Sequence, residues 1–237
     1  MSVSSFWSRS KTPSLLGVTL GQEMSDFVSS TTSIIYSLSR SFIDVFFLVF
    51  SSTVLTITTQ YKLGFFGSSF GRLEPNEIVK VTKSGQFIGS LLPTKELPLH
   101  KAFYETRGMK SGAVVHLHST YSVALSMLPG INEDNVLPSY TPYSVMLLGK
   151  VKLLPFFVPG DPAMGDAIKG LAGKRSAVLL ANHGPVVSGK DLESAVNAVE
   201  ELEATAKLAL LLRGSDAIEL KTSQIDKIVS KFNIEWD

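Results

Sequence analysis

From about Tyr61 onward, short apolar runs alternate with Gly and Pro at their ends, the punctuation expected of alternating strands and helices. Residues 77–81 and 86–88 flank Lys83-Ser84-Gly85, which predicts a hairpin with a glycine-containing turn. After Pro93-Thr94, the helical spacing of Leu99, Ala102 and Phe103 predicts a helix through Arg107. Residues 113–118 read as a strand and 119–128 as a short helix; 143–148 and 151–158 read as strands separated by Gly149-Lys150. A helix over 162–171 and a buried strand over 177–181 then lead into Asn182-His183-Gly184. The clearest helix spans 191–213, where Leu192, Ala195, Val196, Val199, Leu202 and Ala206 make one apolar stripe that stops at Gly214. Ser188 and Asp191 have capping-box spacing at its start, and Glu203 and Lys207 read as an i,i+4 pair on its solvated face.

The segment before residue 60 differs: it is rich in Ser and Thr, poor in charge, and shows only scattered helical periodicity around Ile34, Ile35, Leu38 and Phe42. The expected organisation is an atypical N-terminal segment, 1–60, followed by one domain, 61–237. Its most apolar stretch, 45–57, is interrupted by Ser51, Ser52 and Thr53 and is shorter than the ~20 apolar residues that span a bilayer. It also lies too far from the start for an ordinary signal peptide, so no membrane span is expected.

Composition narrows the chemistry. With 44% hydrophobic and 18% charged residues in 237, the chain has the makings of a folded α/β domain. A formal net charge of +1 without a polybasic run gives no footprint for nucleic acid or an anionic membrane surface. The absence of cysteine excludes disulfides and thiolate ligands, so a metal must be held by histidine and carboxylate. It is compatible with the reducing cytoplasm, the expected location.

Residues two apart on a strand point to one face, so His116 and His118 present two imidazoles side by side. His183 follows an apolar strand and precedes Gly184-Pro185, where a turn aims a third imidazole at the same point. Each histidine also has a plain reading as a satisfied polar group, the reading taken for His100. Glu96 has two readings as well: a carboxylate favourable in the first turn of a helix, or a group reaching a substrate bound at that helix N-terminus.

The runs Pro93-Thr94-Lys95-Glu96, Leu99-His100, Gly112-Ala113-Val114-Val115-His116-Leu117-His118-Ser119-Thr120 and Leu179-Leu180-Ala181-Asn182-His183-Gly184-Pro185-Val186 resemble the class II aldolase/adducin family. Thr141-Pro142-Tyr143, Pro159-Gly160-Asp161-Pro162 and the helix carrying Glu200 to Lys207 look most like its 3-oxo-tetronate 4-phosphate decarboxylases. The resemblance implies a three-layer α/β/α sandwich around a mixed, mostly antiparallel sheet, assembled as a homotetramer with active sites at subunit interfaces. It implies one Zn2+ per subunit, or another divalent metal, on His116, His118 and His183, with Glu96 as a further ligand and acid/base. The implied reaction is decarboxylation of a phosphorylated sugar acid to dihydroxyacetone phosphate through an enediolate. Tyr143 matches a loop tyrosine that donates a proton in the family, although the adjacent second tyrosine is Ser144 here, and packing is its other reading.

The family's Gly-Asn phosphate loop has no counterpart, because the chain contains no Gly-Asn pair. The match resumes at Phe66-Gly67-Ser68, with Phe66 where the family prefers threonine, which leaves Gly67 and Thr94 as the expected phosphate contacts. Two alternatives to the decarboxylase stay open: a class II sugar-phosphate aldolase, and a catalytically weak, adducin-like interaction module.

Overall fold

Among the described residues eight strands form one sheet in the order β4-β3-β2-β1-β5-β8-β7-β6. They are β1 (Ser52–Ile57), β2 (Gln60–Gly64), β3 (Ile78–Thr82), β4 (Phe87–Ile88), β5 (Ala113–His116), β6 (Lys152–Leu154), β7 (Ala177–Leu180) and β8 (Gly184–Gly189). Neighbours run antiparallel except β6 and β7, which are parallel. The computed structural model describes residues 52–57, 60–64, 78–82 and 84–236, all within one unit, Phe42–Asp237.

The described residues form six α-helices: α1 (Leu97–Arg107), α2 (Thr120–Ser126), α3 (Pro142–Leu148), α4 (Ala163–Lys169), α5 (Leu192–Leu211) and α6 (Thr222–Phe232). Strand alternation sorts the apolar side chains into two layers. On one face, Val79, Val81, Val114, Val178, Leu180 and Val186 pack with Leu99 and Phe103 of α1 and Met164 and Ile168 of α4 in a single cluster. A side chain on Gly165 would meet the Pro98 carbonyl oxygen at 2.8 Å, so glycine there lets α4 lie directly on α1. On the other face α5 crosses β5 and β8, and α2 and α3 pack against it. The expected α/β/α sandwich with a mixed, mostly antiparallel sheet is the observed architecture. Among the described residues no helix is long and apolar enough to cross a membrane.

Several elements differ from the sequence reading. Residues 143–148 form helix α3, not a strand: Thr141 caps it by accepting the Ser144 N–H (3.3 Å), Pro142 fits the first turn, and Gly149 ends it at φ 64°. The expected strand over 151–158 is ordered only as β6, because Pro155 follows its last residue. Strand β5 stops at His116, two residues short of the expected end. Helix α5 is capped by Asp191 and Ser194, not by Ser188. Strand β8 and helix α6 had no counterpart in the sequence reading, and β1 lies ahead of the compositional change near residue 60. The periodicity noted around Ile34 to Phe42 lies outside the described residues.

Glu203 is the sharpest correction. It is 2% exposed rather than solvated. Its carboxylate accepts the Tyr121 N–H (2.8 Å), the Ser122 N–H (2.9 Å) and the Ser122 hydroxyl (2.5 Å). These are first-turn donors of α2 that lack intrahelical partners, and a buried anion there also complements the helix dipole. Lys207 stands instead over the Tyr121 ring, 5.1 Å from its centroid. The Glu203→Ala variant is expected to lose about 3 kcal/mol of stability through the orphaned donors, and Glu203→Gln to recover part of it; urea unfolding checks both.

His100, on α1, is fully buried and hydrogen-bonds to the backbone of Val114 on β5. Burial, reinforced by His116, pushes its pKa down to about 3. The folded protein therefore resists protonating His100 while the unfolded chain takes the proton near pH 6.5. The associated stability is complete above pH 6.5 and drains away as the pH falls toward 3, at up to about 1.4 kcal/mol per pH unit. Thermal midpoints of metal-free protein across that range should fall more shallowly for His100→Gln than for the wild type.

Candidate metal centre and relatives

Strand β5 and its continuation carry two of the three imidazoles. His116, the last residue of β5, pairs with Val186 of β8 and is fully buried. The Pro185 carbonyl accepts the Leu117 N–H (3.2 Å) and lies 2.9 Å from His116 Nδ1. A carbonyl oxygen only accepts, so Nδ1 donates to it and Nε2 is the nitrogen left to face the cluster. His118 lies two residues further, past the strand end.

The third imidazole comes from the β7–β8 turn. Asn182 adopts φ 57°, its N–H donates to Ser126 Oγ (3.0 Å), and the His183 N–H bonds back to Leu180 O (3.1 Å). Gly184 follows at φ 151°, and a Cβ there would sit 2.1 Å from the Leu117 carbonyl oxygen. Glycine is required for the β8 backbone to come that close to residues 117 and 118. The three rings thereby meet, with centroids 5.0 Å (116–118), 4.9 Å (116–183) and 4.8 Å (118–183) apart.

Their ligand atoms lie within 4.8 Å of one another. A tetrahedral ion with ~2.1 Å bonds requires a spacing of about 3.4 Å. The donor set fits a borderline divalent cation. A further observation supports the fit: among the described residues the buried imidazole of His183 has no hydrogen-bond partner on either nitrogen. Buried polar atoms are rarely left so, and this one faces two further imidazoles and a carboxylate.

Glu96 completes the cluster from the opposite side. It occupies the N-cap position of α1, rather than its first turn, and is nearly buried. Its Oε2 lies 3.1 Å from His116 Nε2 and 3.9 Å from His183 Nε2. Burial pushes its pKa up, but His116, by hydrogen bonding and charge, and then His183 and His100 outweigh that and hold it down at about 2. Burial likewise lowers His183 to about 4, helped by the charges of His116 and Lys95 and opposed by Glu96. At neutral pH the site therefore presents a carboxylate and a neutral His183, both in metal-binding form.

Of the other expected residues, Thr94 lies beside Glu96, accepting its N–H on Oγ1 (3.3 Å). Tyr143 is 61% exposed near the start of α3. Gly67 lies outside the described residues. The sequence reading missed the Pro185 carbonyl that orients His116, and nothing in a linear sequence marks a backbone acceptor.

Residues 53–210 match the profile of the Class II Aldolase and Adducin N-terminal domain. The 3-oxo-tetronate 4-phosphate decarboxylase of Escherichia coli K12 is 46% identical over 146 residues, covering 62% of this chain and 68% of that protein. The enzyme of the same name from Haemophilus influenzae is 38% identical over 165 residues, covering 70% and 78%. Among solved structures, Escherichia coli YgbL superposes with a TM-score of 0.79 at 34% identity, covering 86% of this chain and 98% of that one. An L-fuculose 1-phosphate aldolase shares the fold, with a TM-score of 0.72 at 24% identity. The profile spans well over half the sequence, and the chain belongs to the class II aldolase and adducin family.

Proposed function

We propose that this carbon–carbon lyase decarboxylates a 3-oxo-tetronate 4-phosphate to dihydroxyacetone phosphate and carbon dioxide. The observation that carries the reading is the convergence of three imidazoles and one buried carboxylate. Decarboxylase relatives at 38–46% identity support this reaction over the aldol cleavage carried out by more distant relatives, such as the L-fuculose phosphate aldolase of Haemophilus influenzae at 27%.

His116, His118 and His183 hold the divalent cation, zinc in this reading, with Glu96 as a further ligand before substrate arrives. When bound, the ion supplies Lewis-acid stabilisation of negative charge developing on substrate oxygen. The Pro185 carbonyl keeps His116 in the tautomer that offers Nε2. In the substrate the C3 carbonyl is β to the C1 carboxylate. As the C1–C2 bond breaks, its electron pair forms the C2–C3 double bond and the carbonyl π pair moves onto the C3 oxygen. The ionised Glu96 Oε2 takes the proton of the substrate's C2 hydroxyl and delivers it to C2, and solvent returns a proton to the C2 oxygen, so one proton is consumed per carbon dioxide released. Thr94 and Gly67 contact the phosphate. Tyr143, exposed on α3, serves a neighbouring subunit's site in a homotetramer.

Purified protein should contain about one divalent ion per chain, and His116→Ala should abolish that stoichiometry; elemental analysis of both decides it, and a metal-poor wild type sinks the centre. Glu96→Gln should retain metal while kcat falls about 10²- to 10⁴-fold. Carbon dioxide release from 3-oxo-tetronate 4-phosphate, set beside aldol cleavage of fuculose and ribulose phosphates, assigns the reaction. Turnover of the aldol substrates alone makes the protein an aldolase, and metal binding without any turnover makes it a weak, adducin-like relative.

A further inference from the structure

The ring of His116 is oriented by the Pro185 carbonyl, whereas among the described residues neither nitrogen of His183 has a hydrogen-bond partner. A histidine that ligates a metal usually has its second nitrogen fixed by a carbonyl or carboxylate. His183 must therefore be aimed through its backbone. It lies outside the β5–β8 ladder, whose last pair is His116 with Val186, in the turn where Asn182 takes φ 57°. The His183 N–H bonds back to Leu180 O (3.1 Å), a local tie, while the Asn182 N–H donates to Ser126 Oγ (3.0 Å) and joins the turn to α2. Ser126 is suited to that contact. It is 6% exposed, and its hydroxyl donates to Val123 O (2.7 Å), which leaves an Oγ lone pair for the Asn182 N–H. Its helix is anchored at the other end. Ser119 at the N-cap of α2 makes no side-chain capping bond, and Glu203 of α5 takes that place by accepting the Tyr121 and Ser122 N–H groups and the Ser122 hydroxyl. Helix α2 begins two residues after His118 and ends at Ser126. One seven-residue helix, about 10 Å long, thus links the chain that carries His118 to the turn that carries His183.

We propose, resting on the metal reading above, that Ser126 is a positioning residue for His183. Through the Asn182 N–H it fixes the turn that aims the imidazole, and α2, locked by Glu203, is the splint between the His118 and His183 ends of the centre. Without the Ser126 hydroxyl the turn keeps its local bond to Leu180 O but loses its tie to α2. The His183 ring, which has no hydrogen bond of its own to restore its direction, then samples a wider range of positions. All three imidazoles remain present, so the site holds metal more weakly without losing a ligand.

Zinc affinity, measured by competition between metal-free protein and a chromophoric chelator, tests this together with the visible spectrum of protein loaded with Co2+. Ser126→Ala should weaken zinc about 10- to 100-fold and alter the Co2+ bands, and Ser126→Thr, which keeps the hydroxyl, should restore most of the affinity. Ser176→Ala is the matched control: that hydroxyl donates to Leu148 O (2.8 Å) at the opposite end of β7, so its loss should lower stability in urea and leave zinc affinity unchanged. Glu203→Gln, at the other end of α2, should weaken zinc in the same direction. The double variant should lose less than the product of the two single losses, because one splint fails whichever end is released. Variants that lose stability yet bind zinc as the wild type does overturn the proposal, as do single losses that multiply. If Ser126→Ala does not fold, the zinc affinity of Glu203→Gln decides by the same criterion. A folded wild type that binds no metal removes the metal reading itself, and this proposal with it.

Discussion

The antiparallel pairing of β5 with β8 is the interaction on which the site depends. With His116 opposite Val186, the end of one strand and the beginning of the other are brought side by side, and residues 116–118 meet residues 183–185. The approach is closer than any side chain at position 184 permits, which is why glycine stands there at φ 151°. The same pairing puts the Pro185 carbonyl where it receives both the Leu117 N–H and the His116 ring. One register thus sets the distance between the imidazoles and which nitrogen of the most buried one faces the cluster. A slip of one residue would turn His116 to the opposite face.

The remaining pieces are held by the two helical layers. From one face α1 brings Glu96 down onto His116 and His183. From the other face α5 reaches under α2 with Glu203, fixing the helix that starts just after His118-Ser119. The charges are arranged in opposition to their surroundings. A buried carboxylate stays ionised because imidazoles face it, and buried His183 stays neutral because burial outweighs the pull of that carboxylate. Among the described residues the His183 ring has no hydrogen-bond partner, the usual signature of a site completed by something from outside the chain.

Reading the sequence located most elements that carry their signal locally. The hairpin around Lys83-Ser84-Gly85, helix α1, strand β7 and the apolar stripe of α5 are all fixed by spacing within a dozen or so residues, and each is present. Errors came where local signals competed. An apolar run at 143–148 reads as a strand by composition, yet a threonine cap followed by proline starts a helix. Glu203 sits four residues before a lysine and reads as surface, because the sequence does not show that the first turn of α2 lies against it.

The sequence by itself determined which atoms are available: three imidazoles and a carboxylate for a metal, no thiolate, and family motifs strong enough to name the class of chemistry. It could do so because ligand identity is a property of residue type, and the pair at 116 and 118 is close along the chain. Only the tertiary structure decided that His183, more than sixty residues later, joins them, and that Glu96 caps α1 facing His116 rather than water. It also decided which nitrogen of His116 faces the cluster. These follow from strand register and helix packing, which are set by contacts between residues distant in sequence, and no local spacing encodes them.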